Sequence, residues 1–176
     1  RQVTCRIMNA TKIIQELESN QKVFEKLLTG LSKEEYLWKP FPDKWCLLEI
    51  VCHLYDEEKE DFRYRTRHVL ETPTDQMPPI DPKGWVLKRK YAEQPFEDTL
   101  SRFLTEREQS IAWLKSLSSP DWDQYYDHNA FGQMTAKMFL SNWLAHDYLH
   151  IRQVIKLKFD YLKHCSNEPL GYAGEW

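Results

Sequence analysis

The sequence predicts an all-α chain folded as a four-helix bundle. Three observations carry that expectation. Apolar residues recur at three- and four-residue steps through four long stretches, no run alternates convincingly enough to make a strand, and one long proline-rich segment suits a crossover connection. The 176 residues suit one domain spanning 1–176, long enough to bury a core without disulfides or metal as staples. Charged residues at 29% and only five glycines argue against a disordered or low-complexity chain.

The first helix carries Ile13, Ile14, Leu17, Phe24, Leu27, Leu28 and Leu31, with Asn9 or Thr11 able to cap it and Gly30 able to stop it. Polar Asn20 and Gln21 interrupt its stripe and read as a solvated turn rather than as the wall of a polar cavity. Ser32-Lys33-Glu34-Glu35 is a capping-box pattern for a short turn through Leu37, which Pro40 and Pro42 end. The second helix is expected from about Asp43 to about Leu70, with Leu47, Ile50, Val51, Leu54, Phe62 and Val69 on its apolar side and His53 among them.

From Glu71 to Gln94, five markers (Pro73, Pro78, Pro79, Pro82 and Gly84) forbid a continuous helix. Connections this long are often functional, and Trp85 and Tyr91 could line a cleft there or cap the core. The third helix runs from near Pro95 to about Leu117, through Leu100, Phe103, Leu104, Ile111 and Leu114. Arg107 falls on that same strip and calls for an acidic partner, because an unpaired buried charge costs several kcal/mol; a structural ion pair is favoured over an anionic substrate. After the turn around Pro120 and Asp121, the fourth helix is expected from about Gln133 to about Lys163, with an irregular tail from about Cys165.

That fourth helix carries His146-Asp147-Tyr148-Leu149-His150-Ile151-Arg152-Gln153. Residues four apart stack on one helical face, so His146 and His150 can aim at a common point. Six histidines in a chain of this length give about 0.2 such pairs by chance, so the motif is weak alone. His53 is the third candidate, since helices packed about 8–10 Å apart bring its ring within reach. Three neutral imidazoles leave a divalent ion its full charge and an open position. Glu49, Asp56 and Glu57 lie within a turn of His53, where surface charge is the majority reading and ligation or ring orientation the minority one.

A formal charge of −3 and the lack of a long Lys/Arg stripe argue against nucleic acid. No apolar run approaches the ~20 residues that cross a bilayer, and no signal-peptide pattern opens the chain. Cys5, Cys46, Cys52 and Cys165 show neither CxxC nor a disulfide framework, which suits reduced thiols in a cytoplasmic protein, with Cys46 and Cys52 as packing residues. The first residue is Arg rather than Met, so the native start stays open. A di-iron carboxylate bundle would need Glu-x-x-His pairs, and a zinc protease would need HExxH; neither occurs.

Lys44-Trp45, Glu49 and His53, Arg107, Asp121-Trp122, Phe131-Gly132, and the series Trp143, His146, Asp147, His150, Gln153 together resemble the DinB-like superfamily, the YfiT-like helical bundles, over nearly the whole chain. The resemblance implies an up-down-down-up bundle, frequently dimeric, with a metal held by His53, His146 and His150. Characterised members include transferases dependent on low-molecular-weight thiols such as bacillithiol, and mycothiol-dependent maleylpyruvate isomerase. The implied function is therefore a metal-dependent enzyme acting on a small molecule, with S-transfer from a low-molecular-weight thiol as the first expectation and hydrolysis as the alternative. An ion on three histidines brings a thiol or water toward deprotonation near neutral pH, for attack on an electrophilic carbon or on an ester or amide. Imidazoles suit zinc, nickel, iron and copper, with zinc or nickel preferred here. Trp85, Tyr91 and Trp143 are expected to shape the pocket. From another class, the chain could be a binding or assembly module with a structural metal or none. Whether Glu49, Asp56, Glu57, Arg107 or Asp147 join the site stays open.

Overall fold

A computed structural model describes residues 8–174; Cys5 and the N-terminal Arg lie outside them. The chain forms α1 (Ala10–Leu28), the single turn α2 (Lys33–Leu37), α3 (Leu47–Asp56), a π-helical segment Glu57–Phe62, α4 (Arg63–Glu71), α5 (Pro82–Lys88), α6 (Phe96–Ser116), β1 (Tyr125–His128), β2 (Gly132–Thr135) and α7 (Ala136–Ser166). The rod from α3 to α4 corresponds to the expected second helix, starting four residues later than anticipated. Glu49 sets that start: its carboxylate accepts the Cys46 backbone N–H at 2.9 Å, one of the donors a helix N-terminus leaves free. Asn9 caps α1 through its side chain, and Gly30 beyond the helix end has φ +75°, a conformation natural to glycine. Ser32 caps α2 as its capping-box pattern predicts.

The four long rods run up, down, down, up. Pairings along their lengths give the directions. Gln21 reaches Leu104 O while Leu17 O meets Arg107, so α6 descends against α1. Glu58 meets Arg107 and Arg63 meets Ser110, so the second rod runs parallel to α6. His53 faces His146 and His150, and Val69 packs with Ala136 and Phe139, so α7 opposes the second rod. Two parallel rods in succession need a chain that returns along the bundle, and residues 72–95 make that return, with α5 as part of it.

Two features depart from expectation. The stretch before α7 is a hairpin, with Tyr125 opposite Thr135 and His128 opposite Gly132, so Gln133 belongs to a strand rather than to the fourth helix. Tyr125 to His128 do not alternate in polarity, so period-two patterning could not reveal them. Packing against the bundle and mutual pairing hold them, with Tyr126 and Met134 lying on the Val69, Met77 and Phe139 cluster. Thr135 then caps α7 by accepting the Met138 N–H. The other departure is the π turn at Glu57–Phe62, where the Arg63 N–H reaches Glu58 O, five residues back. Such a widened turn admits an extra residue and commonly marks functional positions. Here it lets consecutive Glu57 and Glu58 both be buried.

The interior has two main apolar clusters. One gathers Phe24, Leu28, Ile50, Leu54, Phe103 and Val154, and the other gathers Ile14, Leu17, Phe62, Ile111, Leu140 and Trp143. Between them lies a layer of buried polar side chains. No helix among the described residues is long and apolar enough to cross a membrane.

Candidate metal centre

The three histidines meet in that layer. His53 reaches in from α3, and His146 and His150 from successive turns of α7; the Nε2 atoms of His53 and His150 each lie 3.1 Å from His146 Nε2. Among the described residues they form a three-member cluster of metal-competent side chains whose donor atoms all lie within 4.8 Å of one another. Trp45 packs on His53 and Phe62 on His146, with ring centroids 5.0 and 4.9 Å apart, so the walls are aromatic. Burial is the main force pushing all three imidazoles below their ordinary pKa of 6.5, and neighbouring imidazoles add to it for His53 and His146. The rings are therefore neutral near pH 7, the state in which imidazole is a ligand.

Neutral rings alone do not satisfy this geometry. His150 Nδ1 lies 2.9 Å from Gln153 Oε1, which can only accept, so the His150 proton sits on Nδ1 and its Nε2 presents a lone pair. A single proton on His146 Nε2 cannot lie along both 3.1 Å lines at once. His53 Nδ1 is buried without a hydrogen-bond partner, and Glu57 Oε1 stands 3.9 Å from it. Nitrogens about 2.0–2.1 Å from one ion lie about 3.0–3.4 Å from each other, the spacing His146 Nε2 keeps from each of the other two. The donor set fits a divalent cation.

Beside the triad, Arg107 sits in a fully satisfied ion network, as a buried arginine on an apolar strip requires. Its Nε and Nη2 donate to Glu58 at 2.9 and 2.8 Å, and Nη1 and Nη2 both donate to Asp147 at 2.7 Å. Nη1 also donates to Leu17 O at 3.2 Å, so all five guanidinium N–H groups are used. Asn20 donates to Asp147 and the Trp143 indole N–H to Glu58. The network ties all four rods at one level. Because Asp147 is adjacent to His146, it also sets the rotation of α7 that aims the histidines. Asn20 is thus buried at a bond to Asp147, correcting the solvated turn expected there, and Gln21 is bonded to the Leu104 carbonyl.

The three carboxylates expected at the surface are all buried. Glu49 holds Lys39 as well as its cap; Asp56 accepts from the Tyr91 hydroxyl at 2.5 Å and pairs with Arg89 at 2.7 Å. Desolvation beside Asp61 pushes Glu57 up to about 8. Glu58 was missed, since in a regular helix it falls well off the face of His53 and lies in an acidic run. Arg107 on its apolar strip was the signal that such a partner existed. Trp85, Tyr91 and Trp143 are buried in the core rather than lining the triad's pocket. Cys46 and Cys52 are buried thiols that desolvation pushes up to about 11 and about 12, as packing residues should be.

One cavity, of about 860 Å³, lies between residues 73–79 and the β1 strand and includes none of the three histidines. A second, of about 670 Å³, has His150 and Gln153 in its wall. The latter touches the triad through His150, and its aromatic residues are Phe41 and Trp45.

The fold is similar to that of YfiT from Bacillus subtilis, described as a probable metal-dependent hydrolase with an unusual four-helix bundle topology; the TM-score is 0.76 at 18% identity, over 92% of this chain and 93% of that one. No curated protein matches the sequence. The model of the DinB superfamily matches residues 16–154, most of the chain. The chain belongs to the DinB superfamily.

Proposed function

We propose that the protein is a metal-dependent hydrolase of small molecules, with His53, His146 and His150 holding a divalent ion. One observation carries the reading: three neutral imidazole nitrogens converge, those of His53 and His150 each 3.1 Å from His146 Nε2, and no fourth side chain joins the cluster among the described residues. A structural site is usually closed by four protein ligands, whereas three leave room for a reactant, which disfavours a purely structural ion or an assembly module. When bound, a divalent ion supplies Lewis acidity that polarises a carbonyl and makes water acidic near neutral pH. The chain's own residues do the rest. Gln153 holds the His150 proton on Nδ1 so that Nε2 stays a donor of electrons. Asp147, through Arg107, fixes the turn of α7 from which His146 projects. Trp45 and Phe62 keep water off the flanks of the rings.

Hydrolysis is preferred to S-transfer because the fold's solved relative YfiT is described as a probable hydrolase. Moreover the buried thiols of Cys46 and Cys52 hold their protons, so neither of these two supplies a thiolate. The test is to assay zinc- and nickel-loaded protein on activated esters and amides against the chelated protein and His53→Ala. Metal-dependent turnover lost in the variant is expected. Absence of turnover, together with consumption of an added low-molecular-weight thiol by an electrophile, would move the function to S-transfer.

A further inference from the structure

The cavity that opens onto His150 has a charge pattern of its own. Its wall contains Lys44, Arg152 and Lys156 but a single acid, Asp160, which pairs with Lys156 one helical turn away. In a chain of net charge −3 this is a local surplus of positive charge. Two of these cations, Lys44 and Arg152, have few partners among the described residues. Lys44 has the solvated Asp43 at 3.2 Å, and Arg152 makes no ion pair or hydrogen bond among the described residues. Arg152 and Lys156 are four apart on α7, on one face, while Lys44 comes from the linker before α3, so the charges approach the cavity from two sides. Apolar surface lines the same space, with Phe41 63% and Leu149 54% exposed beside Trp45. Gln153 uses its oxygen on His150, and its amide N–H groups meet no hydrogen-bond acceptor among the described residues, which leaves a neutral donor at the wall nearest the triad. The larger cavity has no such surplus, since its lining holds Arg65 together with Asp75 and Asp127.

We propose that the substrate is a small organic carboxylate with an apolar body, its carboxylate held by Lys44, Arg152 and Lys156 and its body laid on Phe41, Trp45 and Leu149 within reach of the triad. This rests on the hydrolase reading only for the word substrate; anion selection by the cavity stands without catalysis. Exposed charges attract weakly one by one, but three converging on a site with apolar walls add up and focus the field.

The experiment titrates 4-phenylbutanoate and its uncharged amide into chelated and zinc-loaded protein by calorimetry. Chelated wild-type protein is expected to bind the carboxylate about tenfold more tightly than the amide at low salt. The preference should fall several-fold in the K44Q/R152Q double variant, with amide affinity unchanged and zinc stoichiometry as in wild type. It should also fall at about 1 M salt, where the screening length is about 3 Å. Equal binding of the two compounds, or no binding of either, overturns the proposal. So does a preference seen only in the zinc-loaded protein, which puts the carboxylate on the ion instead of the cations. Loss of ester turnover with the preference intact would strike the hydrolase reading alone.

Discussion

Two buried polar clusters lie side by side in this bundle and are built on opposite principles. Around Arg107 every donor has an acceptor: five guanidinium N–H groups meet two carboxylates and a carbonyl, and Asn20 and Trp143 supply the remaining bonds. Around His146 three nitrogens face one another with too few protons to join them, and His53 Nδ1 has no partner. The first arrangement completes itself and can only hold the fold. The second, on the reading proposed above, would be completed by something positive from outside, which is how a binding site differs from a brace.

The contrast is sharpest under mutation. Arg107→Leu strands Glu58 and Asp147 in the interior, and we expect a loss of about 3–5 kcal/mol in urea unfolding, a large share of the stability of a domain this size. A loss below about 1 kcal/mol would show that the network is not the brace described. His146→Ala should do the reverse. Metal affinity, measured by competition with a chromophoric chelator, should fall by more than about 100-fold. Saturating metal at about 100 times Kd should stabilise wild type by about 2.7 kcal/mol and the variant hardly at all.

A smaller effect separates ligand from support. Gln153→Leu removes the acceptor that fixes the His150 tautomer, and metal affinity should drop about 10–100-fold with unfolding little changed. Full affinity in that variant would mean that the tautomer is set some other way. The smallest effect is in pH. The folded imidazoles take up protons less readily than unfolded ones, whose value is 6.5. As pH falls below that value the unfolded state gains protons first, so stability in chelated protein is fully present above 6.5 and declines below it. Urea midpoints across that range should show the slope, and His146→Ala should flatten it.

Much of this was legible before any coordinates. Helical periodicity marked the four rods, and the i, i+4 spacing of His146 and His150 put both rings on one face whatever the rest of the chain did. Arg107 announced a buried acid by its position on an apolar strip. The identity of that acid was not legible. Glu58 comes into line only because the π turn changes the phase of the helix, and nothing in Glu57-Glu58-Lys59-Glu60-Asp61 distinguishes such a turn from solvated charge. The hairpin was hidden for a similar reason, since its strands are held by partners and not by their own alternation.

Local spacing thus determined the rods, the histidine pair and the need for a counter-ion, because these follow from a repeat of 3.6 residues along one helix. Tertiary structure alone decided that His53 comes to the pair, that Asp147 and Glu58 share Arg107, and that Lys44 joins Arg152 and Lys156 around one cavity. Those groupings bring together residues 40 (Arg107 and Asp147) to 112 (Lys44 and Lys156) positions apart in the chain. Their distances depend on how whole rods pack against each other, which no pattern within a single rod encodes.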